Sequence, residues 1–146
     1  MAQALSQAKL PPTPVPSEVK DLINRLFQLV DSKDDNVGTI LAEEIFTPDA
    51  MFISANGTFN GKDEISASRT NAWKVVTSRH HMVDKVFSGN ADGTDLVLVG
   101  RLETRTKDSD ATTSTEFAAR GVFDKTAAGG PKLKSYQAWV GSSSTI

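Results

Sequence analysis

Hydrophobic residues in the first third of the chain recur at helical spacing. Apolar positions three and four apart predict a helix with a buried face made of Val19, Leu22, Ile23, Leu26, Phe27 and Val30. Asp31 comes four residues after Phe27 and extends the same stripe, so the pattern directs a carboxylate toward the core. A second short helix is predicted after it, with an apolar face made of Val37, Ile40, Leu41 and Ile45.

The pattern then alternates between strand and helix. The segment MFISANGTFNG contains Asn56-Gly57, a dipeptide that favours the two-residue turn of a hairpin. Helical spacing returns from Lys62 to Val76. Four strand-like runs follow, separated by loops of turn-forming and charged residues: RHHMVDKVF, DLVLVGRLETRT, TEFAARGVF and LKSYQAWV. This order predicts an α+β domain in which a curved antiparallel sheet wraps over the N-terminal helices and leaves a central pocket.

Both ends of the chain lie outside this pattern. Four prolines between positions 11 and 16 exclude a helix, so we expect residues 1–16 to form a flexible arm. Residues 17–141 form the predicted domain, and residues 142–146 form a short tail. A chain of 146 residues fits one domain with a sizeable core.

Composition excludes several classes of function. The formal net charge is −2 with mixed signs along the chain, so no basic face is available for nucleic acid or an anionic membrane. The absence of cysteine removes disulfides, thiolate nucleophiles and thiolate metal sites. No stretch reaches the length of a membrane span or a signal peptide core. We therefore expect a soluble, cytoplasmic protein.

Several segments together resemble a known family. The helical pair ending in LVDSKD, the passage FTPDAMFISANGTFNGKDEI, and strands containing SRHHMV and KLKSYQAWV are similar to the SnoaL-like branch of the NTF2-like superfamily. The resemblance covers about residues 17 to 141 and implies an α+β cone. Members of that superfamily include polyketide cyclases, ketosteroid isomerases, scytalone dehydratase, fungal meroterpenoid isomerases, limonene-epoxide hydrolase and non-catalytic binding proteins. One fold hosts many functions, so activity has to be argued from the site.

Asp31 is the first candidate catalytic residue. Burial and the negative end of a helix both disfavour its ionised form, which suits a group that transfers protons. The DSKD context also resembles scytalone dehydratase, in which the matching aspartate lies in the active site. A solvated carboxylate at a fraying helix end is the alternative interpretation.

His80 and His81 are the two histidines of the chain, and they are adjacent on a predicted strand. Successive strand residues point to opposite faces, so at most one enters the cavity directly. His81 shares its face with Val83 and Phe87, and the resemblance slightly favours it, but the choice between the two stays open. A hydrogen-bonded core histidine is the alternative to a general base.

The next two strands each have one apolar face and one face that mixes apolar and charged residues. The mixed faces contain Val97, Val99, Arg101 and Glu103, then Glu116, Ala118, Arg120 and Val122. The apolar faces contain Leu96, Leu98, Gly100 and Leu102, then Phe117, Ala119, Gly121 and Phe123. We expect the mixed faces to line the cavity and a second subunit to cover the apolar faces, which predicts a homodimer. Solvent exposure of the mixed faces is the alternative.

The resemblance also suggests roles for two charged residues. Glu103 and Arg120 fall where scytalone dehydratase has a histidine and an asparagine, although neither residue type is retained. The spacing of Arg101 and Glu103 resembles instead the arginine and carboxylate of limonene-epoxide hydrolase. Adjacent strand histidines cannot converge on one ion, and DSKDDNVG lacks calcium-loop spacing because Lys33 stands at an early ligand position, so we expect no metal.

These observations lead to a functional hypothesis. We expect a cofactor-free acid/base enzyme, an isomerase, cyclase or dehydratase, that acts on a hydrophobic polyketide-like or terpenoid-like intermediate. Asp31 with His81 or His80 would move the proton, Arg120 would stabilise an enolate oxygen, and Glu103 would orient or share the proton. The substrate-binding candidates are Phe52, Trp73, Arg101, Glu116 and Trp139. The alternatives are an epoxide hydrolase built on Arg101, Glu103 and Asp31, and a non-catalytic ligand-binding protein.

Overall fold

A computed structural model describes residues 3–145 as three helices and a six-stranded sheet. The helices are α1 (Ser17–Val30), α2 (Val37–Ile40), which continues as a π-helical turn (Leu41–Ile45), and α3 (Gly61–Ser66). The strands are β1 (Phe46–Ser54), β2 (Gly57–Asn60), β3 (Val76–Ser88), β4 (Asp95–Thr106), β5 (Ser109–Asp124) and β6 (Lys132–Thr145). The predicted order of elements is confirmed. Within residues 3–145, no helix is long and apolar enough to cross a membrane.

The six strands form one mixed sheet in the order β2-β1-β6-β5-β4-β3. All neighbouring pairs are antiparallel except β1 and β6, which run parallel. The parallel pair brings the N-terminal hairpin beside the C-terminal strand, so β3 is the last strand at the other end of the sheet. The predicted α+β architecture is confirmed, with a mixed sheet in place of a purely antiparallel one.

Two local predictions need correction. The hairpin of β1 and β2 forms, but its two turn residues are Ala55 and Asn56, because Ser54 pairs with Gly57, whose φ is 137°. Helix α3 ends ten residues before Val76, the predicted end of the third helix. The side-chain hydroxyl of Ser68 donates to the carbonyl of Ile65 at 2.6 Å, and such local bonds compete with continued helix.

The two faces of the sheet are used in the opposite way from the prediction. Leu96 and Leu98 on β4, like Phe117 and Ala119 on β5, are buried against the helices and form the core. The mixed face of these strands is the outer face, on which Arg101, among others, is exposed. Helix α1 covers the apolar face because its own stripe of apolar residues is continuous with that core. The expectations that the mixed face lines the cavity and that a second subunit covers the apolar face are therefore wrong.

The N-terminal segment also differs from the prediction, because residues 3–16 pack on their own chain. Ala4 is buried in the main hydrophobic cluster, and Leu5 donates its backbone N–H to Asn24 at 3.0 Å. The carbonyls of Ala4 and Lys9 accept the N–H groups of Val83 and Val86 on the free edge of β3. The segment thus supplies partners that an exposed edge strand would lack.

Candidate functional site

Asp31 ends helix α1 and holds the edge strand β3. It is the residue after Val30 at the helix C-terminus, and only 8% of its side chain is exposed. Its Oδ2 accepts the backbone N–H of His81 at 2.9 Å, and its Oδ1 lies 2.6 Å from Nδ1 of the same histidine. The carboxylate therefore fixes both the main chain and the ring of His81. The stripe that directs Asp31 inward is observed, and its catalytic role stays a prediction.

The imidazole ring of His81 is held between two aromatic side chains. Its centroid lies 4.8 Å from that of Phe27 on α1 and 5.4 Å from that of Phe117 on β5. The second contact is edge-on, at an interplanar angle of 83°. Aromatic packing and the hydrogen bond from Nδ1 together leave the ring one orientation, which is the kind of support that a reactive group requires.

A mostly apolar cavity lies between α1 and the inner face of the sheet. Its volume is about 110 Å³, and its apolar lining includes Leu26, Phe27, Phe52, Leu102, Phe117 and Tyr136. His81 lines this cavity. Asp31 borders a second groove, beside Gln3 and Ala4, which His81 lines as well. Of these two residues, His81 lines the apolar cavity and Asp31 does not.

His80 occupies the opposite face of β3. It pairs with Glu103 across the β3–β4 ladder, whereas His81 pairs with Leu102 of the inner face. Nδ1 of His80 lies 4.0 Å from Oδ2 of Asp31, and 26% of its side chain is exposed. His80 borders the groove that Asp31 lines rather than the apolar cavity. Between the two histidines left open by the sequence, the structure places His81 in the cavity.

Two arginines that sequence reasoning did not select also line the cavity. Arg69 lies in the turns after α3, and Arg79 lies on β3. Nη2 of Arg69 donates to the carbonyl of Val30 at 2.8 Å, while Arg79 donates to Val30 at 3.5 Å and to Ala72 at 3.0 Å. Burial lowers the pKa of Arg69 to about 10, with a smaller contribution from Arg79, and burial also lowers the pKa of Arg79. Their shared contact with the last turn of α1 could not be read from local spacing.

Trp73 supports this arginine pair from outside the cavity. Its indole N–H donates to the carbonyl of Ser32 at 3.2 Å, and the guanidinium carbon of Arg79 lies 4.6 Å from the centre of the indole. Nζ of Lys33 lies 5.3 Å from the same ring. Trp73 borders a surface groove and not the apolar cavity. Its position thus favours an indirect role, in which it orients Arg79 by a cation–π contact.

Tyr136 on β6 is a further cavity residue that the sequence analysis did not select. It is 6% exposed and lines the cavity, and its ring packs edge-on against Phe52 at 5.7 Å. Burial raises the pKa of its phenol above the ordinary value, and the negative charge of Asp31 raises it further. The phenol therefore keeps its proton at neutral pH and can donate a hydrogen bond inside the cavity.

The remaining predicted site residues lie away from the cavity, with one exception. Phe52 lines it as predicted. Arg101 and Arg120 are exposed on the outer face, where they pair with Asp84 at 3.0 Å and Asp95 at 2.9 Å.

Glu103, Glu116 and Trp139 share that outer face. Glu103 pairs with His80 in the β3–β4 ladder, Glu116 is exposed opposite Arg101, and Trp139 is 50% exposed. None of the three lines the cavity. The predicted placement of the charged residues is wrong because alternation along a strand does not identify which face the helices cover.

The described part of the chain also offers no group of three or more His, Asp or Glu residues that could hold a metal ion. The expectation that the site lacks a metal stays a prediction.

Comparison with solved structures identifies the fold. A hexachlorocyclohexane dehydrochlorinase, LinA-type3, from Novosphingobium barchaimii matches with a TM-score of 0.68 at 13% identity, over 89% of this chain and 88% of that chain. A candidate scytalone dehydratase from Novosphingobium aromaticivorans matches with a TM-score of 0.70 at 13% identity, over 89% and 86%. A nuclear transport factor 2 (NTF2-like) superfamily protein from Salmonella enterica matches with a TM-score of 0.61 at 18% identity, over 86% and 90%.

The chain therefore has an NTF2-like fold, with a curved sheet packed over N-terminal helices. No protein family profile matches the sequence, and no curated protein is significantly similar to it. At 13–18% identity, these structural matches establish the fold and leave activity to be argued from the site.

Proposed function

We propose that this protein is a cofactor-free acid/base enzyme of the SnoaL-like branch, an isomerase, cyclase or dehydratase that acts on a hydrophobic polyketide-like or terpenoid-like intermediate. One observation carries this proposal: a histidine fixed by a buried aspartate lines an apolar cavity. A base in such a place can remove a proton from carbon next to a carbonyl or a leaving group. The product is then an isomer, a cyclised product or an alkene.

The hydrogen bonds of Asp31 set the protonation pattern of His81. An ionised carboxylate can only accept hydrogen bonds, so Nδ1 of His81 carries the hydrogen that it donates to Oδ1. In the neutral ring, Nε2 then has the free lone pair. His81 is the general base, and Asp31 is a positioning residue that holds the tautomer and stabilises the imidazolium after proton transfer.

Tyr136 is the candidate hydrogen-bond donor for the charge that develops on the substrate. Its phenol is protonated at neutral pH and lines the same cavity as His81. A donor in an apolar site stabilises an enolate oxygen more than it would in water. This role replaces the one predicted for Arg120, whose guanidinium pairs with Asp95 on the outer face.

The two alternatives differ in the support that they retain. An epoxide hydrolase built on Arg101 and Glu103 loses its activating residues, because both lie on the outer face. A non-catalytic binding protein needs the apolar cavity but not the bond between Asp31 and His81. Asp31 holds His81 by two hydrogen bonds, one from the backbone N–H and one from the imidazole, and this fixation of a single ring favours proton transfer over binding alone.

The test follows deuterium from solvent into substrate. A panel of hydrophobic cyclic ketones is incubated with the protein in deuterium oxide, and incorporation next to the carbonyl is measured by mass spectrometry. We expect His81→Gln to slow incorporation by roughly 10²–10⁴-fold. Arg105→Gln, at an exposed arginine bound to Thr112, is the matched control and keeps the rate. Incorporation that is equal in wild type and His81→Gln refutes the assignment of the base.

An isotope experiment on epoxides distinguishes an epoxide hydrolase from an isomerase, cyclase or dehydratase. Candidate terpenoid epoxides are incubated in water labelled with heavy oxygen. Hydrolysis incorporates the solvent oxygen into the product, whereas isomerisation, cyclisation and dehydration do not. A labelled diol would favour the hydrolase, and a protein that binds these compounds without any conversion would favour the non-catalytic alternative.

A further inference from the structure

The apolar cavity contains more positive charge than its own residues neutralise. Arg69 and Arg79 both line it, and no carboxylate does so among the residues that the structure describes. Within residues 3–145, neither guanidinium forms an ion pair within 4.0 Å of an acidic side chain. The nearest acidic influence is that of Asp31, which acts on both arginines through its charge.

A count of charges gives the sign of the missing partner. Asp31 contributes one negative charge, and the two arginines contribute two positive charges, since an arginine stays ionised at neutral pH even with a lowered pKa. His81 is neutral when it acts as a base. The site therefore keeps an excess of one positive charge in a largely apolar space, where an unpaired charge is costly.

The hydrogen bonding of Arg69 supports the same conclusion about a missing partner. Its Nη2 donates to the carbonyl of Val30, but its Nε is buried and has no acceptor in the described part of the chain. Buried donors are normally paired, so an unpaired one requires an explanation, and an acceptor supplied by a ligand would be one. Nε and one Nη of a guanidinium form a fork that matches the two oxygens of a carboxylate.

A purely structural role explains part of this arrangement. Cationic side chains stabilise the carbonyl end of a helix, and both arginines reach the last turn of α1 through Val30. One cation is sufficient for one carbonyl. Arg79 is also held by the carbonyl of Ala72 and by Trp73. The structural role does not account for the unpaired Nε of Arg69 or for the position of both side chains on the cavity.

We infer that the cavity binds an organic carboxylate, a molecule with a ring-sized apolar body and an acid group held by Arg69 and Arg79. This inference rests on the proposed function, because it names the substrate class of the same cavity. Apolar side chains such as Leu26 and Phe52 would surround the ring, and the arginine pair would fix the acid so that a carbon near it faces His81. The substrate of the enzyme is then a hydrophobic keto acid, and the cyclic ketones of the exchange experiment contain its reacting carbonyl without its acid group.

Calorimetric binding with matched acids and amides tests this inference without turnover. The probes are benzoate, cinnamate and naphthoate, each compared with its own carboxamide, which has the same shape without the charge. We expect at least one acid to bind about tenfold or more tightly than its amide. Added salt should reduce that preference less than it reduces a surface contact, because buried charges are screened weakly.

Substitutions then assign the preference to the arginine pair. Arg79→Gln should abolish the preference, and Arg79→Lys should keep part of it, since lysine retains the charge without the planar fork. Arg69→Gln should act like Arg79→Gln, and if one glutamine variant fails to fold, the other decides. Arg105→Gln, an exposed arginine of β4, controls for a general loss of positive charge.

The outcomes separate this inference from the proposed function. Equal binding of every acid and amide, no binding of any probe, or a preference that survives both glutamine variants overturns the inference. His81→Gln should keep the preference for acids while it slows deuterium exchange by roughly 10²–10⁴-fold. A variant that loses exchange but keeps acid binding thus reports on the base alone. A variant that loses the acid preference but keeps exchange reports on the arginine pair alone.

Discussion

Oδ1 of Asp31 lies 2.6 Å from Nδ1 of His81, although the two residues are fifty positions apart in the chain. The contact joins the end of α1 to the free edge of β3, and the second oxygen of Asp31 accepts the backbone N–H of His81 at 2.9 Å. Asp31 therefore serves both the edge of the sheet and the orientation of the ring. Changing its charge tests these two roles together.

Replacing Asp31 with asparagine should reverse the tautomer of His81. If the amide oxygen accepts the backbone N–H, the amide NH2 faces Nδ1 and donates to it, so the hydrogen of the ring moves to Nε2. The base then lacks a lone pair in the cavity, and we expect deuterium exchange to fall by roughly 10²–10⁴-fold. The unfolding free energy should fall by about 1–3 kcal/mol, because a hydrogen bond to a charged group is weakened.

Asp84→Asn is the matched control for that experiment. Asp84 also forms a short ion pair, but with Arg101 on the outer face, and 47% of its side chain is exposed. This variant should retain exchange activity and nearly all of its stability, since exposed pairs contribute little. A folded Asp31→Asn protein with full activity would exclude the positioning role.

Tyr136→Phe should change stability at alkaline pH. Burial raises the pKa of the phenol above its ordinary value of 10, so between pH 10 and the raised pKa the unfolded chain ionises while the folded protein does not. The contribution of Tyr136 is complete below pH 10 and is lost as pH rises. Relative to Tyr136→Phe, the wild-type unfolding free energy should therefore decline by about 1.4 kcal/mol per pH unit above about pH 10.

Urea unfolding of both proteins from about pH 8 to about pH 11 measures this difference. Arg69 acts with the opposite sign, because its lowered pKa lets the folded protein release a proton before the unfolded chain does. That contribution is common to both proteins and cancels in the comparison. Parallel pH profiles for wild type and Tyr136→Phe would contradict the buried phenol.

Deletion of residues 1–14 should destabilise the protein. The deletion removes five hydrogen bonds: two join Asn24 to the N–H of Leu5 and the side chain of Gln3, and three join the edge strand to the backbone of Ala4 and Lys9. We expect a loss of at least about 2 kcal/mol. For a chain of this size, that corresponds to a melting temperature about 4–8 °C lower.

A pair of substitutions at Lys9 gives a sharper version of this test. Lys9→Pro removes the N–H that donates to the carbonyl of Asp84 at 3.0 Å, whereas Lys9→Ala changes only an exposed side chain. The proline variant should melt at a lower temperature, and the alanine variant should match the wild type. Equal melting of all three proteins would mean that the segment does not stabilise the sheet edge.

The outer face of the sheet is the surface on which we expect self-association. Its exposed apolar side chains include Met51, Phe87 and Trp139, which are 44%, 45% and 50% exposed. We expect a homodimer at micromolar concentration in sedimentation, and Trp139→Glu should shift it toward monomer. Val75→Glu, at a 61% exposed residue before β3, is the matched control. A monomeric wild type would contradict this expectation.

The sequence by itself determined the elements and the inward direction of Asp31. Helical spacing placed Val19, Ile23, Leu26 and Phe27 on the buried face of α1, and the structure buries all four. Asp31 continues that stripe because a helix repeats the same direction every three to four residues. Local periodicity is sufficient for predictions of this kind, because neighbours in sequence produce the signal.

The choice of cavity face needed the tertiary structure. Both faces of β4 carry apolar residues, so alternation separates the set with Leu96 from the set with Val97 without showing which set the helices cover. The position of α1 decides this, and it puts Arg101 and Arg120 outside. The docking of the N-terminal segment on β3 was equally unpredictable from the sequence. This segment binds β3 through its backbone, and backbone hydrogen bonds leave no pattern in the side chains.

The arginine pair at the site could not be predicted from the sequence either. Arg69 and Arg79 reach the carbonyl of Val30 from 39 and 49 residues away, so no spacing in the sequence joins them. Their meeting depends on how the chain after α3 crosses the end of α1. The sequence thus determined which side chains have acid/base chemistry, and only the packing of helix, loop and sheet decided which of them share one cavity.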